Sequence, residues 1–329
     1  MKWCFMGSDP IALPMLRYLH STRPGGIELK AVYTQPDRRT GRGMHLQANA
    51  IKSWALDNGI EVRQPAKCGK DEAAWLGMNG IDLVIVMAYG QILPRSILEA
   101  TPLGIVNLHA SLLPRLRGAS PIHTAIACGL EITGVSLMRI IPKLDAGPVA
   151  AREVVAIGDS DTCSGVVDKL AQACIPLMEK ALPALLQGKL DFQEQDQQQV
   201  TYCRIIEKTD CHLDFSADAR ELANRIRAFQ PWPGTAFPHG DMEIRIVAAL
   251  AEDTEDDYLP GMLTIDAEGT VRIRCGQGSL VITRMQRPGG KPMEADAFLR
   301  GYPIDSGTIL PSRSMHPLEG SQPFPYKQK

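Results

Sequence analysis

Short apolar runs alternate with amphipathic segments through roughly the first 190 residues, the pattern of a mostly parallel sheet covered by helices. The strand candidates are Trp3–Met6, Leu29–Thr34, Leu83–Met87, Gly104–Leu108 and Gly134–Arg139. Helical spacing is clear in Ile11–Leu19 and again in Val166–Leu186. The segment from Lys189 to Tyr202, "KLDFQEQDQQQVTY", has weak periodicity and many Gln and acidic residues, so it reads as a linker. After it the texture changes. Ala217–Phe229 reads as one helix, with Ser216 as a capping candidate. Short β-type runs follow at Ile244–Leu250, Val271–Cys275 and Leu280–Arg284, punctuated by Gly and Pro as in a small β-barrel. The expected organisation is a catalytic domain over 1–189, a linker over 190–206 and a second domain over 207–329.

Composition changes this picture little. The 329 residues suffice for about two domains with real cores. The net charge of -2 excludes a wholly basic nucleic-acid coat, so any nucleic-acid contact must come from local patches. Eight cysteines are scattered without C-x-x-C spacing, which disfavours a zinc site or a dithiol motif. They read as reduced thiols of a cytoplasmic protein. The apolar start of the chain is too short for a signal peptide, and no stretch approaches the length that spans a bilayer. Neither membrane association nor a metal is expected.

Several familiar chemistries are missing. "GSDPIALP" after the first strand has no G-x-G-x-x-G, which disfavours a dinucleotide. No G-x-x-x-x-G-K-[ST] and no G-x-S-x-G occur either. What does stand out is "VNLHASLLPRLRGASP", Val106 to Pro121, which reads as a buried strand ending in polar groups. Asn107 and His109 lie two apart and share one side of an extended segment. Open α/β sheets bind ligands at the carboxyl ends of their strands. Asp145, in "KLDAGPV", follows the apolar run Gly134–Ile141 and is expected at the end of the next strand. Polar capping of a strand end is the plain alternative for all three. As a site, the trio suits acyl or formyl transfer without a covalent enzyme intermediate. Asn107 and His109 can hydrogen-bond a developing oxyanion, while Asp145 orients the imidazole and helps move a proton.

Two basic features could meet nucleic acid. "TQPDRRTGRGMHL", Thr34 to Leu46, sets Arg38, Arg39 and Arg42 beside two glycines, which permits close approach to a phosphate backbone. From Thr270 to Met293 there are five basic residues, Arg272 and Arg284 among them, and no acid. On short strands they could form one positive face. Solvated loops and an ordinary barrel surface are the alternatives.

Taken together, "TQPDRRTGRG", "AYGQILP", "NLHASLLPRLRGASPI", "TGVSLM", "LDAG", "RIRAFQPWPG" and "QRPGGKPM" resemble the blocks of the methionyl-tRNA formyltransferase family, in family order. The central block alone fits the wider group of 10-formyltetrahydrofolate transferases, including those acting on purine precursors and amino sugars. The Arg-rich loop and the "RPGGKPM" block point to the tRNA member. The resemblance implies a formyltransferase-type Rossmann domain followed by an OB-like barrel that binds tRNA. It implies 10-formyltetrahydrofolate as co-substrate, initiator Met-tRNA as acceptor, and a monomer. It implies Asn107, His109 and Asp145 as the catalytic trio, Ser111, Leu112, Leu113 and Pro114 as folate contacts, and Arg42 as a contact to the acceptor end of the tRNA. A same-chemistry enzyme for amino sugars, and an RNA-binding module with a degenerate catalytic domain, are the competing functions. The first leaves the Arg38–Arg42 loop without a use, and the intact trio argues against the second.

Overall fold

The computed structural model describes residues 1–40, 45–255 and 257–325. The chain forms two compact units. The first gathers Met1–Arg117, Thr133–Ala156 and Val167–Thr201, and the second gathers Gly118–Ile132, Ile157–Val166 and Tyr202–Lys329.

The first unit is built on a seven-stranded sheet. Its strands are β1 (Lys2–Met6), β2 (Glu28–Tyr33), β5 (Glu61–Arg63), β6 (Leu83–Val86), β7 (Ile105–His109), β8 (Ile132–Arg139) and β9 (Val149–Ala156). The strand order is β9-β8-β7-β6-β1-β2-β5. A separate two-stranded ribbon pairs β3 (Arg38–Thr40) with β4 (His45–Gln47). The continuous runs "WCFM" in β1 and "LVIV" in β6 are buried along their whole length, as strands covered on both faces must be. Helices α1 (Leu13–Thr22) and α3 (Cys163–Leu186) agree with the 3.6-residue periodicity. The Cys4, Met6, Tyr33, Val84 and Ile105 side chains share one core cluster. Gly7, the lone glycine after β1, has a packing reason. An added Cβ would lie 2.6 Å from the Met87 carbonyl oxygen and 2.5 Å from the Phe5 ring.

The pairings β1–β2, β1–β6, β2–β5 and β6–β7 are parallel, but β7 and β8 run antiparallel. That corrects one expectation about the site. His109 at the carboxyl end of β7 lies opposite Ser136, while Arg139 at the end of β8 lies opposite Val106 at the other end of β7. Asp145 therefore comes from the loop that follows β8, six residues past the strand, and not from a strand end beside His109.

The second unit packs an antiparallel sheet against helices. The strands are β10 (Thr235–His239), β11 (Met242–Glu252), β12 (Leu263–Ile265), β13 (Val271–Arg274), β14 (Ser279–Gln286) and β15 (Met293–Glu294). They run in the order β10-β11-β14-β13-β12, and β15 pairs antiparallel with Arg284 and Met285 of β14, past the residues that β13 pairs. Register shifts around Ala248 interrupt the β11–β14 ladder, and such bulges sharpen twist and curl a sheet. The result is a curled, half-barrel sheet where an OB-like barrel is expected.

Helices α2 (Pro121–Ala127) and α4 (Ala219–Ala228) pack together in this unit. Leu222 and Ile226, four residues apart on α4, are fully buried with Phe215, Ile244 and Ile282 in the core. Asp218, not Ser216, caps α4: its carboxylate accepts from the Arg220 N–H at 2.7 Å. The Ser216 hydroxyl instead donates to Asp214, two residues upstream, at 2.7 Å. A third helix, α5 (Ala295–Gly301), seals the core with Phe298.

Candidate active site

β7 ends among buried neighbours, and its pleat places Asn107 and His109 on one face with Leu108 on the other. His109 is 7% exposed, an unusual depth for an imidazole. Its Nε2–H donates to the Leu116 carbonyl at 3.1 Å, which fixes the ring. Its Nδ1 faces the Asp145 carboxylate at 3.8 Å, with both side chains mostly shielded from solvent. Both ring nitrogens thus point at oxygen acceptors. Charges so placed interact more strongly than at a surface, because little water screens them.

The backbone is unusual on both sides of this pair. Leu116 and Asp145 adopt φ of 58° and 45°, the left-handed region that L-residues rarely enter. Such outliers cluster where a fold over-determines a functional conformation. Gly147 fits the same tight loop, since an added Cβ would overlap the Arg139 carbonyl oxygen.

The four residues after Ala110 divide by exposure. Ser111 and Leu113 are buried, whereas Leu112 and Pro114 are partly exposed. The Ser111 hydroxyl donates to the Arg115 carbonyl at 2.7 Å. Leu113 packs with Met138 and Val149, and its N–H donates to the Ser136 hydroxyl at 3.0 Å. Leu112 lies against Gly134, where a Cβ would meet its methyl group.

The basic features are less uniform than their composition suggests. Arg38 is exposed and donates through Nη2 to the Gln35 side-chain oxygen. Gln35 in turn donates to the Tyr89 and Gly90 carbonyls at 3.0 Å each, pinning the base of the loop. Arg42 and the side chain of Arg39 lie outside the described residues. In the second unit, Val271 and Ile273 turn inward and Arg272 and Arg274 turn outward along β13. Acids from outside the Thr270–Met293 stretch reach this face. Arg272 forms ion pairs with Glu252 at 2.7 Å and Asp266 at 2.6 Å. Hydrogen bonds to Glu252, then Asp266, raise its pKa further above the ordinary arginine range. Arg284 is more exposed and sits 3.6 Å from Glu294.

Two buried polar residues beside the site were not anticipated from sequence. Arg117 is fully buried, and Gln195 is 4% exposed. Gln195 belongs to the Gln-rich stretch expected to be a linker. That stretch is held to the first unit. The Gln193 N–H and carbonyl exchange hydrogen bonds with Val149, and the Gln195 side chain reaches the Asp145 loop. One Gln among several carries no periodic signal, so only the folded contact reveals it.

Comparison with known proteins shows which family the chain belongs to. Residues 8–182 match the formyl transferase family and residues 205–303 match the formyl transferase C-terminal domain. A relative named methionyl-tRNA formyltransferase from Methylococcus capsulatus is 41% identical over 305 residues, covering 92% of this chain and 98% of its own. A second of that name, from Herminiimonas arsenicoxydans, is 39% identical over 316 residues, covering 93% and 99%. Among solved structures, the N-formyltransferase from Helicobacter canadensis, in complex with folinic acid and dTDP-3-aminofucose, aligns with a TM-score of 0.64 at 19% identity. That alignment covers 87% of this chain and 99% of the other, and it speaks to fold alone. With both family models matched in order and near-40% identity along almost the whole chain, the protein belongs to the methionyl-tRNA formyltransferase family.

Proposed function

We propose that the crevice at the end of β7 transfers a formyl group from 10-formyltetrahydrofolate to the α-amino group of methionine on initiator tRNA. The buried His109–Asp145 pair carries this reading, in a chain of this family. The amine attacks the formyl carbon directly. A C–N bond to the amino acid forms, the bond to N10 of the folate breaks, and one proton passes from the amine to the departing nitrogen. The Asn107 amide and His109 hold the oxyanion that develops between the two steps. Because Nε2–H is committed to Leu116, His109 acts through Nδ1. A ring that donates from both nitrogens is positively charged, and the Asp145 carboxylate is its counter-charge. Asp145 also takes the amine proton, directly or through water. No Ser or Cys nucleophile is needed.

Leu112 and Pro114 present the wall that meets the folate, and buried Ser111 and Leu113 set its shape. Arg38, Arg39 and Arg42 hold the acceptor end of the tRNA. Arg272 and Arg284 add the sequence-independent attraction to phosphate, which must compete with their carboxylate partners. The protein acts as a monomer in the cytoplasm; no helix among the described residues is long and apolar enough to cross a membrane.

The test is formyl transfer from 10-formyltetrahydrofolate to charged initiator tRNA, with free methionine and a dTDP-amino sugar as controls. Formylation of the tRNA-borne methionine alone is expected. Transfer to the amino sugar and not to tRNA would overturn the reading.

A further inference from the structure

Asp145 and Leu116, both in the left-handed region, flank His109 and need something to hold them. The Gln195 carboxamide holds the first. Its Nε2 donates to the Asp145 carbonyl at 2.8 Å and to the Gly147 carbonyl at 2.7 Å. Its Oε1 accepts from Arg117 Nε at 3.0 Å and Nη2 at 2.8 Å. Chemistry fixes this orientation. A flipped amide would turn its NH2 toward the guanidinium and its oxygen toward two carbonyls, replacing four attractions by four repulsions.

Arg117 directly follows Leu116, whose carbonyl takes the His109 Nε2–H. Both residues are anchored to Thr201: the Leu116 N–H donates to its hydroxyl at 3.0 Å and the Arg117 N–H to its carbonyl at 2.9 Å. One rigid dipeptide therefore grips His109 through residue 116 and the Asp145 loop through residue 117. Arg117 is a poor candidate for stability alone. It is a fully buried cation that bonds an amide oxygen, with Nη1 lacking an acceptor among the described residues. Buried charges held this way contribute little to stability.

We infer that Gln195, oriented by Arg117, is a positioning residue that holds Asp145 at its working distance from His109. The inference rests on the proposed role of Asp145 and adds that the Gln195 amide helps fix the loop that carries it. A misplacement of about 1 Å at such a pair costs on the order of a hundredfold in rate. Gln195→Met keeps the bulk and removes the amide.

The experiment is a double-mutant cycle on the full chain: Gln195→Met, Asp145→Ala and the double variant. Single-turnover formylation of Met-tRNA, folate affinity and thermal unfolding are measured on each. Gln195→Met is expected to lower the rate by about ten- to a hundredfold, with folate affinity unchanged. In the Asp145→Ala background it should lower the rate no further, because its effect passes through Asp145. Should Gln195→Met fail to fold, Gln195→Glu carries the same expectation. It keeps the volume and an ion pair to Arg117 but loses both donors. A folded Gln195 variant with wild-type rate, or a loss that multiplies onto that of Asp145→Ala, overturns the inference. An active Asp145→Ala would instead strike the catalytic reading, and the inference with it.

Discussion

Replacing Asp145 by Asn keeps the shape of the side chain and removes its charge. Two unit charges 3.8 Å apart interact by about 4 kcal/mol at the effective dielectric of about 20 that suits partly buried pairs. The side chains are 8% and 17% exposed, so screening by solvent removes little of this. Desolvation of the carboxylate offsets part of it, leaving about 2 to 3 kcal/mol. That energy stabilises the charged imidazole in the transition state, so its loss alone lowers kcat/KM by about 30- to 150-fold, and loss of the proton acceptor lowers it further. The assay is formylation of initiator Met-tRNA at limiting tRNA, with folate affinity measured separately and expected to hold. A change of less than about threefold in a folded variant would refute the electrostatic role, since the neutral amide would then serve as well as the charge.

Other outcomes follow from the same geometry. Gly147→Ala should destabilise the protein by about 1–3 kcal/mol in denaturant unfolding and depress activity, because the new Cβ must displace the loop carrying Asp145. Arg42→Ala should sharply lower formylation at limiting tRNA while folate binding is unchanged; an unaltered rate would leave the Thr34–Leu46 loop without a role in recognition. Arg284→Ala should weaken tRNA binding and flatten its salt dependence more than Arg272→Ala does, because two carboxylates already neutralise Arg272. Equal effects, read from binding titrations across salt concentrations, would contradict that ranking.

Much of the fold was legible because its signals are local. β1 and β6 read as strands since "WCFM" and "LVIV" are unbroken apolar runs, and α3 since its apolar positions repeat along 24 residues. The placement of Asn107 and His109 at a strand end was legible because two polar residues at a spacing of two stand at the end of such a run. The path of Asp145 was not legible. Strand direction depends on the partner chosen, and β8 pairs antiparallel where its neighbours across β7 are parallel. The cap of α4 was missed by two residues, because Ser216 and Asp218 are equally suitable by type and only the backbone turn selects between them. Gln195 lay hidden for a deeper reason. Its buried partner is Arg117, 78 positions away, and nothing within "DFQEQDQQQ" distinguishes it from the exposed glutamines around it. Segments 118–132 and 157–166 join the second unit although they precede the end of the first along the chain, a grouping no local pattern encodes.

In the proposed site, formyl transfer occurs against His109. The most direct measurement is the single-turnover rate of formyl transfer from 10-formyltetrahydrofolate to initiator Met-tRNA by His109→Ala, made on protein shown to be folded and to bind folate. A loss on the order of a hundredfold or more is expected, with folate affinity retained. Near-wild-type turnover in that variant would contradict this placement.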